Sequence, residues 1–117
     1  MRMRGRPRNC GRRVLASRPG PVVPVSATIA LDGFSFSITF SAVVTATFPT
    51  GWTVTGAAVS LDQAQTAGAV LTWPLIVGVF SPGDVIKVSY DGLGDLRTDP
   101  TFLPVGSFTN FPVTNPL

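Results

Sequence analysis

The alternation of apolar and polar residues between positions 25 and 40 constrains the fold more than any other feature of the chain. Apolar residues occupy every second position of VSATIAL and again of FSFSITF, which is the period of a strand buried on one face. The residues expected to face the core are Val25, Ala27, Ile29, Leu31, Phe34, Phe36, Ile38 and Phe40. Asp32-Gly33 separates the two runs and is a strong signal for a two-residue hairpin turn. The sequence therefore predicts an antiparallel hairpin at the start of the domain.

The rest of the domain repeats this pattern less regularly. Strands are predicted within VVTATF, WTVTG, AAVSLD, AVLTWPL, VIKVSY and GSFTNFPVTN, with turns at residues 49–51 and 81–84. The inward residues of VIKVSY are expected to be Ile86, Val88 and Tyr90. We expect AVLTWPL to be an edge strand or to end at Pro74, because proline cannot donate a hydrogen bond to a sheet.

No segment keeps a helical period over three turns. The best helix candidate, LDQAQTAGAVL, contains Gly68, which disfavours a helix. About seven strands at a spacing of roughly 8–12 residues favour two packed antiparallel sheets over a barrel. The predicted domain organisation is one β-sandwich, residues 25–117, behind an extended basic arm, residues 1–24.

Positive charge is concentrated ahead of the domain. Residues 1–20, the arginine-rich segment, carry seven arginines and no acid, whereas residues 21–117 carry two cations against six aspartates, a net charge of −4. The seven arginines are Arg2, Arg4, Arg6, Arg8, Arg12, Arg13 and Arg18. PGPVVP, residues 19–24, completes the arm and should be extended, because proline fixes φ and restricts the preceding residue. An extended arm could reach on the order of 70–80 Å, far enough to contact a neighbouring subunit.

The seven arginines are the predicted partner-binding residues, and three interpretations of the arm remain open. The arm could neutralise nucleic-acid phosphates, lie across an acidic protein surface through arginine–carboxylate pairs, or remain a solvated tail. Few aromatic residues interleave with the arginines, so stacking on single-stranded bases has no support. A protein surface is favoured, since blocks of like charge are usually interaction tails. The acidic domain would repel phosphate while the arm attracts it, a combination that suits an anchor arm with the domain held away from the attachment surface.

The residue types that most enzymes require are missing. The chain has no histidine and a single cysteine, Cys10, which excludes histidine-containing triads and a structural zinc site. It also lacks a glycine-rich phosphate loop followed by Lys-Ser or Lys-Thr. We therefore expect no enzymatic activity, no catalytic or metal-binding residues and no cofactor. The longest apolar run, LTWPLIVGVF, is far shorter than the ~20 residues of a membrane span, so no membrane partner is expected.

Two further groups of residues allow a functional interpretation. Asp91, Asp95 and Asp99 could supply oxygen ligands to Ca²⁺, or they could stabilise turns by accepting bonds from nearby backbone amides. Their spacing fits no EF-hand loop, which favours turns. Trp52 and Trp73 could stack on sugars or fill the space between the sheets, and their position in alternating segments favours the core.

Three motifs together carry a resemblance to a known family. TIALDGFSFSITFSAVV, SPGDVIKVSYDG and the terminal PVTN resemble bacterial immunoglobulin-like domains of the SwmB-repeat type and related domains of phage structural proteins. The resemblance covers roughly residues 25–115 and implies an all-β fold, an immunoglobulin-like antiparallel sandwich. Those domains usually occur in tandem in long surface proteins, whereas this chain has one copy behind a basic arm. In that respect it is more similar to a virion component than to part of an adhesin.

The prediction that combines these features is a structural virion protein, either a capsid decoration or cement protein or a tail-associated protein. Its arm would be anchored on capsid or tail subunits, with the sandwich displayed or bridging subunits, and the protein is expected to form a homo-oligomer. The alternatives are an extracellular, surface-displayed adhesion or carbohydrate-binding module, and a small nucleic-acid-binding protein that uses the arm.

Overall fold

The computed structural model describes residues 21–117, which contain ten strands. In chain order these are β1 (Pro24–Ile29), β2 (Ser35–Phe40), β3 (Val44–Thr45), β4 (Trp52–Thr55), β5 (Ser60–Leu61), β6 (Gln65–Ala67), β7 (Val70–Val77), β8 (Ile86–Tyr90), β9 (Arg97–Thr98) and β10 (Phe108–Val113). One sheet has the order β1-β2-β7-β5, with β6 also pairing with β7, and a second has the order β10-β8-β4. β3 and β9 form a separate ladder, and all these pairs are antiparallel.

The strand order is that of an immunoglobulin constant-type sandwich. When β6, which lies off the main order of the first sheet, and the separate β3–β9 ladder are set aside, seven strands remain. Of these, the first, second, fifth and fourth form one sheet and the seventh, sixth and third form the other. Beyond β10, Thr114 makes an isolated parallel bridge to Thr28 of β1, which links the two sheets along one side. The predicted all-β sandwich of about seven strands is confirmed.

The core lies between the inner faces of the two sheets. Trp73 of β7 is fully buried and Trp52 of β4 is 9% exposed, and their ring centroids are 5.2 Å apart across the interface between the sheets. The predicted inward residues of β8, Ile86, Val88 and Tyr90, are all buried. Both tryptophans therefore fill the core, as predicted, and neither is available as an exposed platform for sugars.

The first hairpin forms, but with a longer turn than predicted. The Gly33 amide donates to the Ala30 carbonyl (2.9 Å), so Leu31 and the following aspartate are the central turn residues. Leu31 is 80% exposed and Phe34 is 57% exposed, because both lie outside the paired strands. Val25 is 61% exposed at an irregularity in the β1–β2 register. These three predicted core positions are wrong, and the other five are buried.

β7 contradicts the expectation that its strand ends at Pro74 or lies at an edge. The strand continues to Val77 and has β2 on one side and both β5 and β6 on the other. The Pro74 carbonyl accepts a bond from the Asp62 amide (2.8 Å), which belongs to the segment between β5 and β6. A residue of an antiparallel strand directs its nitrogen and carbonyl to the same side. The nitrogen of Pro74, which carries no hydrogen, therefore faces the gap between β5 and β6. No strand pairs with that side of β7 at this point, so no hydrogen bond of a ladder is lost.

The helix candidate is a hairpin instead. Its residues form β6 and the beginning of β7, joined by the two-residue loop Gly68-Ala69. The turns predicted at residues 49–51 and 81–84 are both present, closed by bonds from Trp52 to Pro49 (3.0 Å) and from Asp84 to Ser81 (3.2 Å).

Candidate functional site at the loop end

The longer connections of the sandwich meet at the end where the described chain begins. We call this the loop end and define it as residues 21–23, 41–51, 68–69 and 91–107. Its segments are joined by the β3–β9 ladder and by a bond from the Val44 amide to the Gly68 carbonyl (3.3 Å). Val23 exchanges two bonds with Ser41, one of them to the serine hydroxyl (3.0 Å). The sandwich thus takes in residues just before β1 that the sequence assigns to the arm.

The connection between β8 and β10, residues 91–107, is the longest of the described part of the chain and contains β9. Polar side chains fix it at two points. The phenolic oxygen of Tyr90 accepts a bond from the Leu96 amide (3.3 Å), and the Thr98 hydroxyl accepts one from the Leu103 amide (3.0 Å). Burial raises the pKa of Tyr90, so the phenol stays protonated in that position well into alkaline conditions.

The three aspartates of this connection act separately. Asp91 accepts a bond from the Leu93 amide two residues on (2.8 Å), the turn geometry predicted for it. Asp95 instead accepts bonds from the Thr47 and Phe48 amides, at 3.0 and 3.1 Å, and so fastens the β3–β4 segment to the long connection. Within residues 21–117 no group of three or more histidine, cysteine, aspartate or glutamate residues is arranged to hold a metal ion. The carboxylates of Asp91 and Asp95 stabilise loops here, and with Asp99 and Arg97 they give this end of the sandwich a net charge of −2.

A groove of about 710 Å³ lies at the loop end. Its walls are mainly apolar and include Val22, Val43, Leu103 and Val105, and Asp99 is the one charged residue among the described residues that line it. Leu103 is 60% exposed and Asp99 is also exposed, so both are accessible to a partner. This Asp99 groove can accept an extended apolar segment with a positive charge beside it.

A smaller pocket of about 300 Å³ is lined by residues that include Phe48, Leu93, Asp95 and Arg97. Asp95 Oδ2 is used by the two backbone amides, while its buried Oδ1 has no hydrogen-bond partner among the described residues. The Arg97 guanidinium donates to the carbonyls of Leu96 and Gly94 at 3.3 Å. Phe48 is 53% exposed and supplies an aromatic face to this Asp95 pocket. One residue of β9 lines each depression, Thr98 the groove and Arg97 the pocket.

The predicted partner-binding residues lie outside the described part of the chain. These are Arg2, Arg4, Arg6, Arg8, Arg12, Arg13 and Arg18, and Cys10 lies there as well. The segment that carries them joins the domain at Pro21, which itself lines the Asp99 groove. The chain therefore enters the sandwich at the loop end, beside the groove.

Sequence reasoning missed the Asp99 groove. It is formed by residues that are distant along the chain, 41–43 and 98–106, and no local pattern records that these meet. The signals that were present are the length of the β8–β10 connection and its two prolines, Pro100 and Pro104, which keep that backbone out of a regular strand.

Comparisons with models of protein families, with curated proteins and with solved structures gave no match to this chain. Among the described residues, no helix has the length and apolar character needed to cross a membrane.

Proposed function

We propose that this chain is a structural protein of a virion, either a capsid decoration or cement protein or a tail-associated protein, held in place by its arm. The observation that carries this proposal is the separation of charge. Seven arginines precede a domain with a net charge of −4. The two parts meet beside the Asp99 groove. A cationic segment on an acidic domain suits attachment to carboxylate-bearing protein surfaces through bidentate arginine pairs.

The positions of Pro21 and Leu117 at opposite ends of the sandwich support a display role. Residues 30–34, 56–59, 78–85 and 114–117 form the opposite end of the sandwich, which we call the turn end. Leu117 lies there, next to Gly33, while Pro21 lies at the loop end. A domain fastened through the arm would hold its loop end near the attachment surface and its turn end away from it. Leu31 and Val85, 80% and 74% exposed, are then available to a further partner.

The fold supports the same proposal without deciding it. An immunoglobulin-type strand order together with the GDVIKVSYDG and PVTN motifs is what a SwmB-type domain of a phage structural protein would have. We include membership of that family in the proposal. Sandwich domains of this type serve many functions, so the charge pattern and the loop end carry more weight than the fold.

The test is retention on particles. Virions from the source that encodes this chain are purified on a density gradient, and the chain is quantified by mass spectrometry. Wild type should band with the particles at a fixed ratio to the capsid protein. A full-length variant with all seven arginines replaced by glutamine should be lost from that band. Lys87→Gln, which removes an exposed cation of the domain, is the control and should be retained. Absence of the wild-type chain from the particles would refute the proposal.

Nucleic-acid binding is the second candidate, favoured by the uninterrupted positive charge of the arginine-rich segment. Fluorescence anisotropy of a labelled duplex, titrated with wild type and with the arginine-to-glutamine variant across a salt series, separates the two functions. Binding by wild type alone, with a log–log salt slope that corresponds to several phosphates, would place the arm on nucleic acid. No binding at ionic strength near 0.15 M is the result expected of a protein-binding arm.

A further inference from the structure

We propose that the loop end of one copy is the binding site for the arginine-rich segment of a second copy, with Val14 and Leu15 of that segment in the Asp99 groove. The inference names a partner for the arm and rests on the proposed function only in taking the arm to bind protein. The contact joins two different surfaces, so it links copies head to tail. Such a heterologous contact closes into a ring or continues as a fibre.

Charge complementarity is the first argument. The arginine-rich segment carries seven positive charges, and residues 21–117 have a net charge of −4. The loop end holds three of the six aspartates, Asp91, Asp95 and Asp99, and one cation, Arg97, so its own net charge is −2. Opposite charges on two surfaces of one chain favour association between copies and accelerate their encounter.

The shape and chemistry of the Asp99 groove provide the second argument. Val14, Leu15 and the alanine that follows are the longest apolar run of the arginine-rich segment, with Arg13 before them and Arg18 shortly after. The groove has apolar walls, one exposed carboxylate and a volume of about 710 Å³. That volume falls within the range of ligand sites, about 300–1,000 Å³. An apolar pair flanked by arginines matches an apolar groove that carries an aspartate.

The Asp95 pocket is less suited to an arginine of the segment. Arg97 lines this pocket and already places a cation there, and the Asp95 oxygen that lacks a partner among the described residues is buried. The contact is therefore assigned to the Asp99 groove, where the carboxylate is exposed.

Pro21, near the end of the arm, favours binding to the groove of a second copy over binding to the groove of the same copy. Pro21 and Val22 line the groove, so Val14 could reach it within one copy only if the chain reversed between residues 16 and 20. Pro21 disfavours the helical region at Gly20, which works against a reversal at that residue. An extended segment of this length reaches roughly 65 Å, beyond its own domain and onto a neighbour.

The test uses full-length variants and sedimentation velocity at ionic strength near 0.15 M. The donor variant, Asp99→Lys, keeps the arginine-rich segment and damages the groove. The acceptor variant keeps the groove and carries Arg12→Glu, Arg13→Glu, Val14→Asp and Leu15→Asp. Asp32→Lys makes the same charge change as the donor variant at the turn end and is the matched control. Tryptophan fluorescence from the buried Trp52–Trp73 pair confirms that each variant is folded.

Wild type and Asp32→Lys should self-associate, and each damaged variant alone should be monomeric. A mixture of donor and acceptor should form a one-to-one dimer, because only one intact junction remains. Asp99→Lys should weaken association at least about tenfold, since attraction is replaced by repulsion. Asp99→Asn, which disturbs folding less, should weaken it about two- to fivefold.

Three results would overturn the inference: a monomeric wild type, undiminished association of Asp99→Lys, or a mixture that stays monomeric. The density-gradient experiment with virions separates a failure of this inference from a failure of the proposed function. If copies do not associate but wild type still bands with virions through its arginines, the anchoring role stands and the partner is another protein. If wild type associates only when duplex is added, the arm binds nucleic acid instead.

Discussion

The two ends of the sandwich differ in the length of the connections that they hold. At the turn end the longest connection is residues 78–85, and the Asn115 side chain fastens it by donating to the Ser81 and Asp84 carbonyls (2.9 and 3.0 Å). At the loop end the connection of residues 91–107 is longer, and side chains of Tyr90, Asp95 and Thr98 hold it together with several backbone bonds. Both ends therefore combine backbone and side-chain bonds, and a substitution at either end is expected to act mainly on the connections that its own bonds join.

The largest effect is expected at the turn end, from Gly56→Ala. Gly56 has φ of 98°, and a Cβ there would lie 1.9 Å from the Val85 carbonyl oxygen. We expect a loss of at least about 3 kcal/mol in the free energy of unfolding, because backbone strain and a backbone clash combine. Urea denaturation followed by tryptophan fluorescence measures it.

Gly83→Ala is the matched control for that change. Gly83 has φ of 85°, but no atom lies within 4 Å of the position that a Cβ would take, so only the conformational strain remains, about 1–2 kcal/mol. Equal losses for the two variants would show that close approach of the backbone is not what distinguishes Gly56.

A smaller effect is expected at the loop end, from Asp95→Ala. Removal of the carboxylate leaves the Thr47 and Phe48 amides without their acceptor, which should cost about 2 kcal/mol. Hydrogen exchange at those two amides should accelerate, while amides of the turn end keep their protection. Asp91→Ala, which removes a single bond to the Leu93 amide, should cost less. A uniform acceleration across both ends would contradict the independence of the two regions.

The smallest effect is expected from Tyr90→Phe, about 1 kcal/mol at neutral pH, because the Leu96 amide loses its acceptor. The pH dependence is more distinctive. Burial raises the pKa of Tyr90 in the folded state, so its protonated form favours folding. That contribution is complete below the unfolded pKa near 10 and is lost as pH rises through the folded value.

Tyr90 is the single tyrosine of the chain, so tyrosinate absorbance reports its ionisation directly. Wild type should lose stability above pH about 10 more steeply than Tyr90→Phe. Identical alkaline profiles for the two proteins would contradict the buried, bonded phenol.

Period-two alternation predicted the central strands because burial on one face imposes that pattern locally. It placed Phe36, Ile38 and Val88 in the core correctly. It failed at Leu31, because the turn occupies more residues than the Asp-Gly pair alone suggests. The expectation of an edge or a strand end at Pro74 came from its missing hydrogen-bond donor instead. It failed because the neighbouring strand is interrupted opposite Pro74, which local sequence cannot record.

The candidate site was predicted only in part. The charge of the arginine-rich segment is visible in the sequence. The partner-binding role of its arginines remains a prediction, because these residues lie outside the described part of the chain. The Asp99 groove was not predicted, because its walls come from segments that meet only through the β3–β9 ladder. The cross-loop role of Asp95 was missed for the same reason, since its two amide donors lie 48 and 47 positions earlier in the chain.

The bridge between Thr28 and Thr114 has a mechanical consequence. β1 pairs antiparallel with β2 on one side and meets the chain beyond β10 in parallel on the other, through bonds of 2.9 Å. Force applied through the arm pulls on β1 from the loop end, while Leu117 lies at the turn end. Tension between these two points acts along the strand axis, so the bonds on both sides of β1 are loaded together in shear rather than broken one at a time. A domain loaded in this way would resist mechanical unfolding more strongly than one whose terminal strand could be peeled away.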